Sequence, residues 1–307
     1  MKKIINIGTR GSKLALWQAY YVEELLKKAG FDTNIVIIET KGDKVLDRSL
    51  AKVGSKGIFT EELEIQLLEG KIDIAVHSAK DMPSDLGEDF KIIAFTEREQ
   101  VNDVIISENK NLFKKNKIVL GTSSVRRTAL LKKYMPEVEV VNMRGNLQTR
   151  IRKMSEGQCD GLVLAFAGVH RMGYDNMIVK HLSTDEFIPP VGQGSVAIEA
   201  AKILDKTTEK NIIEAVNHDK SALCLLAERA FLNKLQGGCS IPAFAKASIV
   251  DNKLNIKGGI ISLDGQNLIS IEENGNLSES EKLGFALANK VLSNGGREIL
   301  AAIKVQG

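Results

Sequence analysis

Short apolar runs alternate with amphipathic stretches along the first two thirds of this 307-residue chain, and that alternation constrains its fold most. Lys3 to Gly8, Asn34 to Glu39, Ile72 to Val76 and Lys91 to Phe95 read as strands. Lys13 to Ala29 reads as a helix with Ser12 as N-cap, Gly30 as its stop, and an apolar stripe that includes Leu14, Trp17, Tyr21 and Leu25. Phe59 to Glu69 reads as a second helix. The pattern then repeats. Strands are expected at Asp103 to Ile106, Lys117 to Leu120, Glu137 to Asn142 and Gly161 to Phe166. Helices are expected at Val125 to Tyr134, Leu147 to Ser155 and Ala167 to Met172. Such alternation predicts parallel sheets with helices on their faces, here as two α/β lobes of similar size.

Pro189-Pro190-Val191-Gly192-Gln193-Gly194-Ser195 breaks any regular element. Val196 to Ala201 is expected to return the chain to the first lobe, giving a two-lobed cleft with more than one crossover. From Glu209 the character changes. Helices at Asn211 to Asn217, Ser221 to Leu235 and Ser280 to Leu292 accompany strands at Ala245 to Val250, Lys253 to Ile261 and Leu268 to Glu273. Asp251-Asn252 and Asp264-Gly265 are turn signals. A smaller C-terminal α+β domain follows. The expected division is 1–96 with 195–212, then 97–194, then 213–307.

Composition narrows the function classes. The formal net charge is only +3 and aromatics make up 5% of the chain, so neither a nucleic-acid surface nor base-stacking platforms are suggested. The three cysteines (Cys159, Cys224, Cys239) and four histidines lack metal-ligand spacing, and no disulfide framework is indicated. The N-terminus lacks a signal peptide's apolar stretch, and no run is long enough to span a bilayer. The expectation is a cytoplasmic protein. No apolar stripe demands a partner, so a monomer is expected. Thr40 to Lys56 reads as a long functional loop.

The chemistry concentrates at strand ends. Ile72 to Pro83 reads I-D-I-A-V-H-S-A-K-D-M-P, which sets Lys80 and Asp81 just beyond a buried strand. Arg10 lies in the first strand–helix turn. Arg126 and Arg127 open a helix after Gly121-Thr122-Ser123-Ser124. Arg144 and Arg150 flank Gly145-Asn146, and Arg171 follows another strand. In parallel sheets these turns share the C-terminal edge, where ligands bind. Arginines at helix starts oppose the macrodipole, a cost that a bound anion explains. A small ligand with several anionic groups is favoured over a solvated helix face or a phosphate-backbone groove. Asp81 would repel such an anion unless it serves a cationic part of the ligand or moves protons; a plain ion pair with Lys80 or an arginine is the bland alternative. Cys239, in a Gly-Gly-Cys turn, is either a reactive thiol or a small buried one, and the residues alone leave both open.

Several motifs occur together and in order. They are Thr9-Arg10-Gly11-Ser12 with Leu14-Ala15-Leu16-Trp17-Gln18-Ala19, His77-Ser78-Ala79-Lys80-Asp81-Met82-Pro83, Gly121-Thr122-Ser123-Ser124-Val125-Arg126-Arg127, Arg144-Gly145-Asn146, Val191-Gly192-Gln193-Gly194 and Gly237-Gly238-Cys239. In these the chain closely resembles, nearly end to end, the porphobilinogen deaminase (hydroxymethylbilane synthase) family. The resemblance implies two lobes like the type II periplasmic binding fold plus the smaller domain. It implies a dipyrromethane cofactor attached by a thioether to Cys239. It also implies a transferase that joins four porphobilinogen units head to tail, losing ammonia each time, to give hydroxymethylbilane for porphyrin biosynthesis.

By the same resemblance, Asp81 and Lys80 are catalytic. Arg126, Arg127 and Ser124, with Lys80 and Asp81, hold the cofactor. Arg10, Ser12, Arg144, Asn146, Arg150, Arg171 and Gln193 bind substrate, and Lys52, Lys56 and Phe59 belong to a loop covering the site. Lys13 stands where the family usually has proline, and Ser240 where glutamine is common. Ala79 and Met82 replace other small or apolar residues. The competing readings are a two-lobed anion-binding protein without chemistry and a ligand-sensing domain of a regulator. Asp81 and Cys239 are surplus to the first, and no DNA-binding helix pair precedes the first strand to suit the second.

Overall fold

The computed structural model describes residues 4–40, 60–236 and 241–306. Lys52, Lys56, Phe59 and Cys239 lie outside the described residues. In chain order the strands are β1 (Ile4–Thr9), β2 (Asp32–Ile37), β3 (Ile74–Ser78), β4 (Phe90–Phe95), β5 (Asp103–Ile106), β6 (Val119–Gly121), β7 (Glu139–Val141), β8 (Gly161–Ala165), β9 (Ile178–His181), β10 (Val196–Ala201), β11 (Ala243–Val250), β12 (Lys253–Ile261) and β13 (Leu268–Asn276). The α-helices are α1 (Lys13–Lys28), α2 (Glu61–Leu68), α3 (Val125–Tyr134), α4 (Leu147–Ser155), α5 (Phe166–Arg171), α6 (Lys206–Val216), α7 (Asp219–Lys234), α8 (Ser280–Val291) and α9 (Arg297–Gln306).

Two five-stranded sheets carry the same topology. The first runs β2-β1-β3-β10-β4 and the second β7-β6-β8-β5-β9. In each, the fourth strand is antiparallel to both neighbours and the rest run parallel. That odd strand is the one the chain lays down after crossing from the other lobe: β5 follows the crossover 96–102, and β10 the crossover 182–195. The return of Val196–Ala201 to the first lobe is therefore observed.

Helices cover both faces of the first sheet. Ala19, Val22 and Leu26 of α1 and Ile212 and Val216 of α6 pack with Ile5, Ile74 and Val76, while Leu63 and Leu67 of α2 pack with Ala75 and Ala201. Under this double cover Ile74 through His77 are all buried, as expected of a buried strand. The core face of α1 is Ala19, Val22 and Leu26 rather than the stripe through Trp17 and Tyr21. Those two rings stack with centroids 5.5 Å apart and are only partly buried.

The C-terminal domain is a three-stranded antiparallel sheet, β11-β12-β13, packed on α7 and α8 through Phe231, Leu287 and Val291. Asp251 and Asn252 take φ of 49° and 57° between the paired Val250 and Lys253, a two-residue hairpin of the kind these residues favour. The edge strand β9 and the terminal helix α9 carried too little pattern to be read from the sequence.

Candidate active site

Four strands of the two lobes, β1, β3, β6 and β7, each lead at the C-terminal end into a polar site residue. Beyond β1, Ser12 caps α1, its Oγ accepting from the Ala15 N–H at 3.3 Å. Beyond β6, Ser124 caps α3, accepting from the Arg127 N–H at 3.4 Å. Beyond β7, Asn146 caps α4, its Oδ1 accepting from the Thr149 N–H at 2.9 Å. Arg10 is half-buried beside the first of these caps. The three expected ligand helpers are thus helix caps first. Each still has a hydroxyl or amide hydrogen that the cap bond does not use.

Beyond β3, Ala79–Asp81 forms a single 3-10 turn rather than an irregular loop. Asp81 is exposed and makes no hydrogen bond or ion pair among the described residues. The plain ion pair weighed from the sequence is therefore absent there. Gln18, buried on α1, donates from Nε2 to Ser78 Oγ at 2.9 Å and fixes the entry to this turn. Lys80 donates from Nζ to Gln193 Oε1 at 3.5 Å. Burial, helped by the positive charges of Arg127 and Arg150 and opposed by Asp81 and Asp103, pushes its amino group down to about 8.

Arg126 and Arg127 depart most from expectation. They are only 3% and 6% exposed. Arg126 donates from Nη2 to Asp103 Oδ2 at 2.6 Å and from Nη1 to the Ile188 carbonyl at 2.7 Å. Arg127 donates from Nη2 to Asp103 Oδ1 at 2.7 Å and from Nη1 to the Val163 carbonyl at 3.0 Å. Part of the anion that the helix-start argument demanded is the protein's own. Two buried guanidiniums need a paired charge, and Asp103, fully buried at the head of β5, supplies it. Burial works against ionising Asp103, but the two guanidiniums more than offset it and hold its carboxyl well below the usual range. Both arginines retain a buried Nε–H without a partner.

The remaining arginines divide. Arg150 donates from Nε to the Gly145 carbonyl at 2.7 Å. Burial, with the nearby charges of Arg127 and Arg144, pushes it down to about 10. Arg144 is half-buried, and its guanidinium makes no hydrogen bond or ion pair among the described residues. Arg171 sits 5.0 Å over the Trp17 ring and donates from Nη2 to the Gly194 carbonyl at 2.7 Å, tying the lobes together at the junction. Gln193, expected to meet substrate, is fully buried. Its Nε2 donates to the Val101 carbonyl at 2.7 Å and to Asp103 Oδ1 at 2.9 Å, so both ends of its amide serve the protein.

Sequence reasoning missed Asp103, and it also missed Glu228. Glu228, on α7 and fully buried, accepts from Arg98 Nη1 at 2.6 Å and Nη2 at 3.0 Å, from Gly192 N–H at 2.9 Å and from Ala247 N–H at 2.7 Å. It fastens both crossovers to the C-terminal domain. A charged pair, Glu228-Arg229, inside an otherwise apolar helical stretch was the available signal. No helix among the described residues is long and apolar enough to cross a membrane.

Comparison with known proteins follows the same division of the chain. Residues 5–210 match the family description "Porphobilinogen deaminase, dipyromethane cofactor binding domain", and residues 222–293 match "Porphobilinogen deaminase, C-terminal domain". The porphobilinogen deaminase of Desulfosudis oleivorans is 52% identical over 305 residues, 98% of each chain. That of Cytophaga hutchinsonii is 53% identical over 306 residues, 99% of this chain and 98% of its own. The crystal structure of the methionine binding protein MetQ overlaps 69% of this chain and 89% of its own at a TM-score of 0.45 and 12% identity, too loose an overlap to argue from. With both family descriptions matched and near full-length relatives above half identity, the chain belongs to the porphobilinogen deaminase family.

Proposed function

We propose that this chain carries out its family's reaction, the head-to-tail joining of four porphobilinogen units with loss of ammonia to give hydroxymethylbilane, at the C-terminal strand edges of its two lobes. The observation that carries the reading is one exposed carboxylate, Asp81, without a hydrogen-bond or ion-pair partner among the described residues and set among Lys80, Arg127 and Arg150, whose charges act on one another. Such a site suits a ligand that is anionic at its rim and becomes cationic at its reacting carbon. An anion-binding protein without catalysis has no use for Asp81.

The residues fit a dipyrromethane. The Nε–H groups of Arg126 and Arg127 and the guanidinium of Arg144, all without partners among the described residues, are donors suited to carboxylate oxygens. Arg126, Arg127 and Ser124, with Lys80 and Asp81, would hold it, and Cys239 would bind it through a thioether. When bound, the group supplies the terminal pyrrole carbon to which the first substrate is joined. Arg10, Ser12, Arg144, Asn146 and Arg150 would engage the acetate and propionate of incoming units. Arg171 and Gln193 would act from the lobe junction. Lys52, Lys56 and Phe59 are assigned to the covering loop.

Asp81 accepts pyrrole N–H hydrogens and faces the cation left when the C–N bond breaks and ammonia takes the electron pair. It can also pass on the proton that the attacking pyrrole carbon gives up. A fixed carboxylate is worth most where charge develops. Lys80, beside it, holds ligand carboxylate while protonated.

We assign a monomer working in the cytoplasm. The first lobe comprises 1–96 with 195–216, extended from 212 because Ile212 and Val216 of α6 both pack in its core. The second lobe comprises 97–194, and the remainder forms the C-terminal domain. Asp81→Asn should keep the fold and the bound cofactor while turnover falls about 100- to 1,000-fold. Steady-state kinetics beside intact mass test this, and normal turnover would remove Asp81 from the mechanism.

A further inference from the structure

Five buried or half-buried polar side chains form one hydrogen-bonded line across the lobe junction. Lys80, in the turn after β3, donates to Gln193 in the second crossover. Gln193 donates to Asp103 at the head of β5, directly after the first crossover. Asp103 accepts from Arg126 and Arg127 of α3. Lys80 belongs to one lobe and the arginine pair to the other; Gln193 of the second crossover and Asp103 of β5 link them.

We propose that Asp103 is a positioning residue which, through Gln193, holds Lys80 in register with the Arg126–Arg127 pair, so that the two crossovers set the geometry and charge of the site. This rests on the roles given above to Lys80 and the two arginines.

The chemistry of each member supports the assignment. The two Asp103 oxygens take one terminal nitrogen from each arginine. Carbonyls of Ile188 and Val163 take the other terminal nitrogens. Each guanidinium is thereby locked through both terminal nitrogens, while its Nε has no partner among the described residues. A neutral residue at position 103 would leave two buried cations repelling each other with no charge between them to offset it. Gln193 can bridge because an amide has a donor end for the carboxylate and an acceptor end for the ammonium. Its placement is enforced by backbone. Gly192 has φ +81°, and a Cβ there would come within 2.7 Å of the Ala79 carbonyl carbon and the Lys80 nitrogen. The crossover thus lies directly against the turn that carries Lys80.

The charges facing Lys80 are Asp81 from its own turn, Asp103 from β5, Arg127 from α3 and Arg150 from α4. The line therefore makes a signed prediction that a purely structural role does not. Removing the Asp103 charge should make Lys80 easier to deprotonate. Placing a carboxylate at Gln193 should make it harder.

The test is the pH dependence of Lys80 acetylation in the holoenzyme. It is read by trace labelling with acetic anhydride, which attacks only the neutral amine, followed by peptide mass spectrometry. In Asp103→Asn the midpoint should fall by about 0.5 pH, and in Gln193→Glu it should rise by about 1 pH. Should Asp103→Asn fail to fold, Gln193→Glu decides alone. A midpoint coincident with wild type in every folded variant overturns the proposal. The readout needs no turnover, so failure of the line shows as coincident midpoints, whereas failure of the assigned roles shows as normal turnover in Asp81→Asn.

Discussion

Lys80 is the residue at which stability and function pull in opposite directions. Its amino group is pushed down to about 8 from 10.5 by burial and by the surrounding guanidiniums. A base whose native pKa is depressed binds fewer protons folded than unfolded between those two values. Its contribution to stability therefore rises as pH climbs from about 8 toward 10.5, and below about 8 its full cost is present. Lys80→Met should accordingly raise the thermal stability of the protein at pH 7, by about 1 kcal/mol, with the gain shrinking by pH 10. Melting curves at the two pH values check this, and a lowered midpoint at pH 7 contradicts it. The place of Asp81, just past a buried strand, was legible because the apolar run Ile72 to Val76 ends shortly before Pro83. Asp103 was not. An acid at the head of a strand reads as a solvated flank, and its partners Arg126, Arg127 and Gln193 stand 23, 24 and 90 positions away.

Elements were legible where a local rule decides them. Ser12, Ser124 and Asn146 each precede a helix and each caps it, and Asp251-Asn252 makes the hairpin that its composition predicts. The phase of α1 was misread because Trp17 and Tyr21 are large enough to look like core. They serve the lobe junction instead, where Arg171 lies over Trp17. The crossover 182–195 is the element on which the site most depends. Gly192→Ala should strain the positive φ and push against Ala79 and Lys80, destabilising the fold by about 1–3 kcal/mol. It should lower turnover more than the same loss of stability introduced elsewhere. Denaturant unfolding with kinetics tests this, and unchanged values would detach the crossover from the site.

At the scale of the whole molecule, the two matched sheets and the smaller domain followed from the order of strands and helices. The antiparallel strand that each lobe inherits after a crossover required pairings over long sequence separations, such as Ala197 with His77, which no local pattern encodes. Glu228 reaches from the C-terminal domain to both crossovers. That domain is thereby braced against both crossovers.

The central claim is that the cleft holds a dipyrromethane attached through Cys239 and extends it. The most direct test is the intact denatured mass of the wild-type protein beside Cys239→Ser. The account predicts a wild-type excess equal to two linked pyrrole units that is absent from the variant. A wild-type mass equal to the bare chain, unchanged after incubation with porphobilinogen, would contradict it.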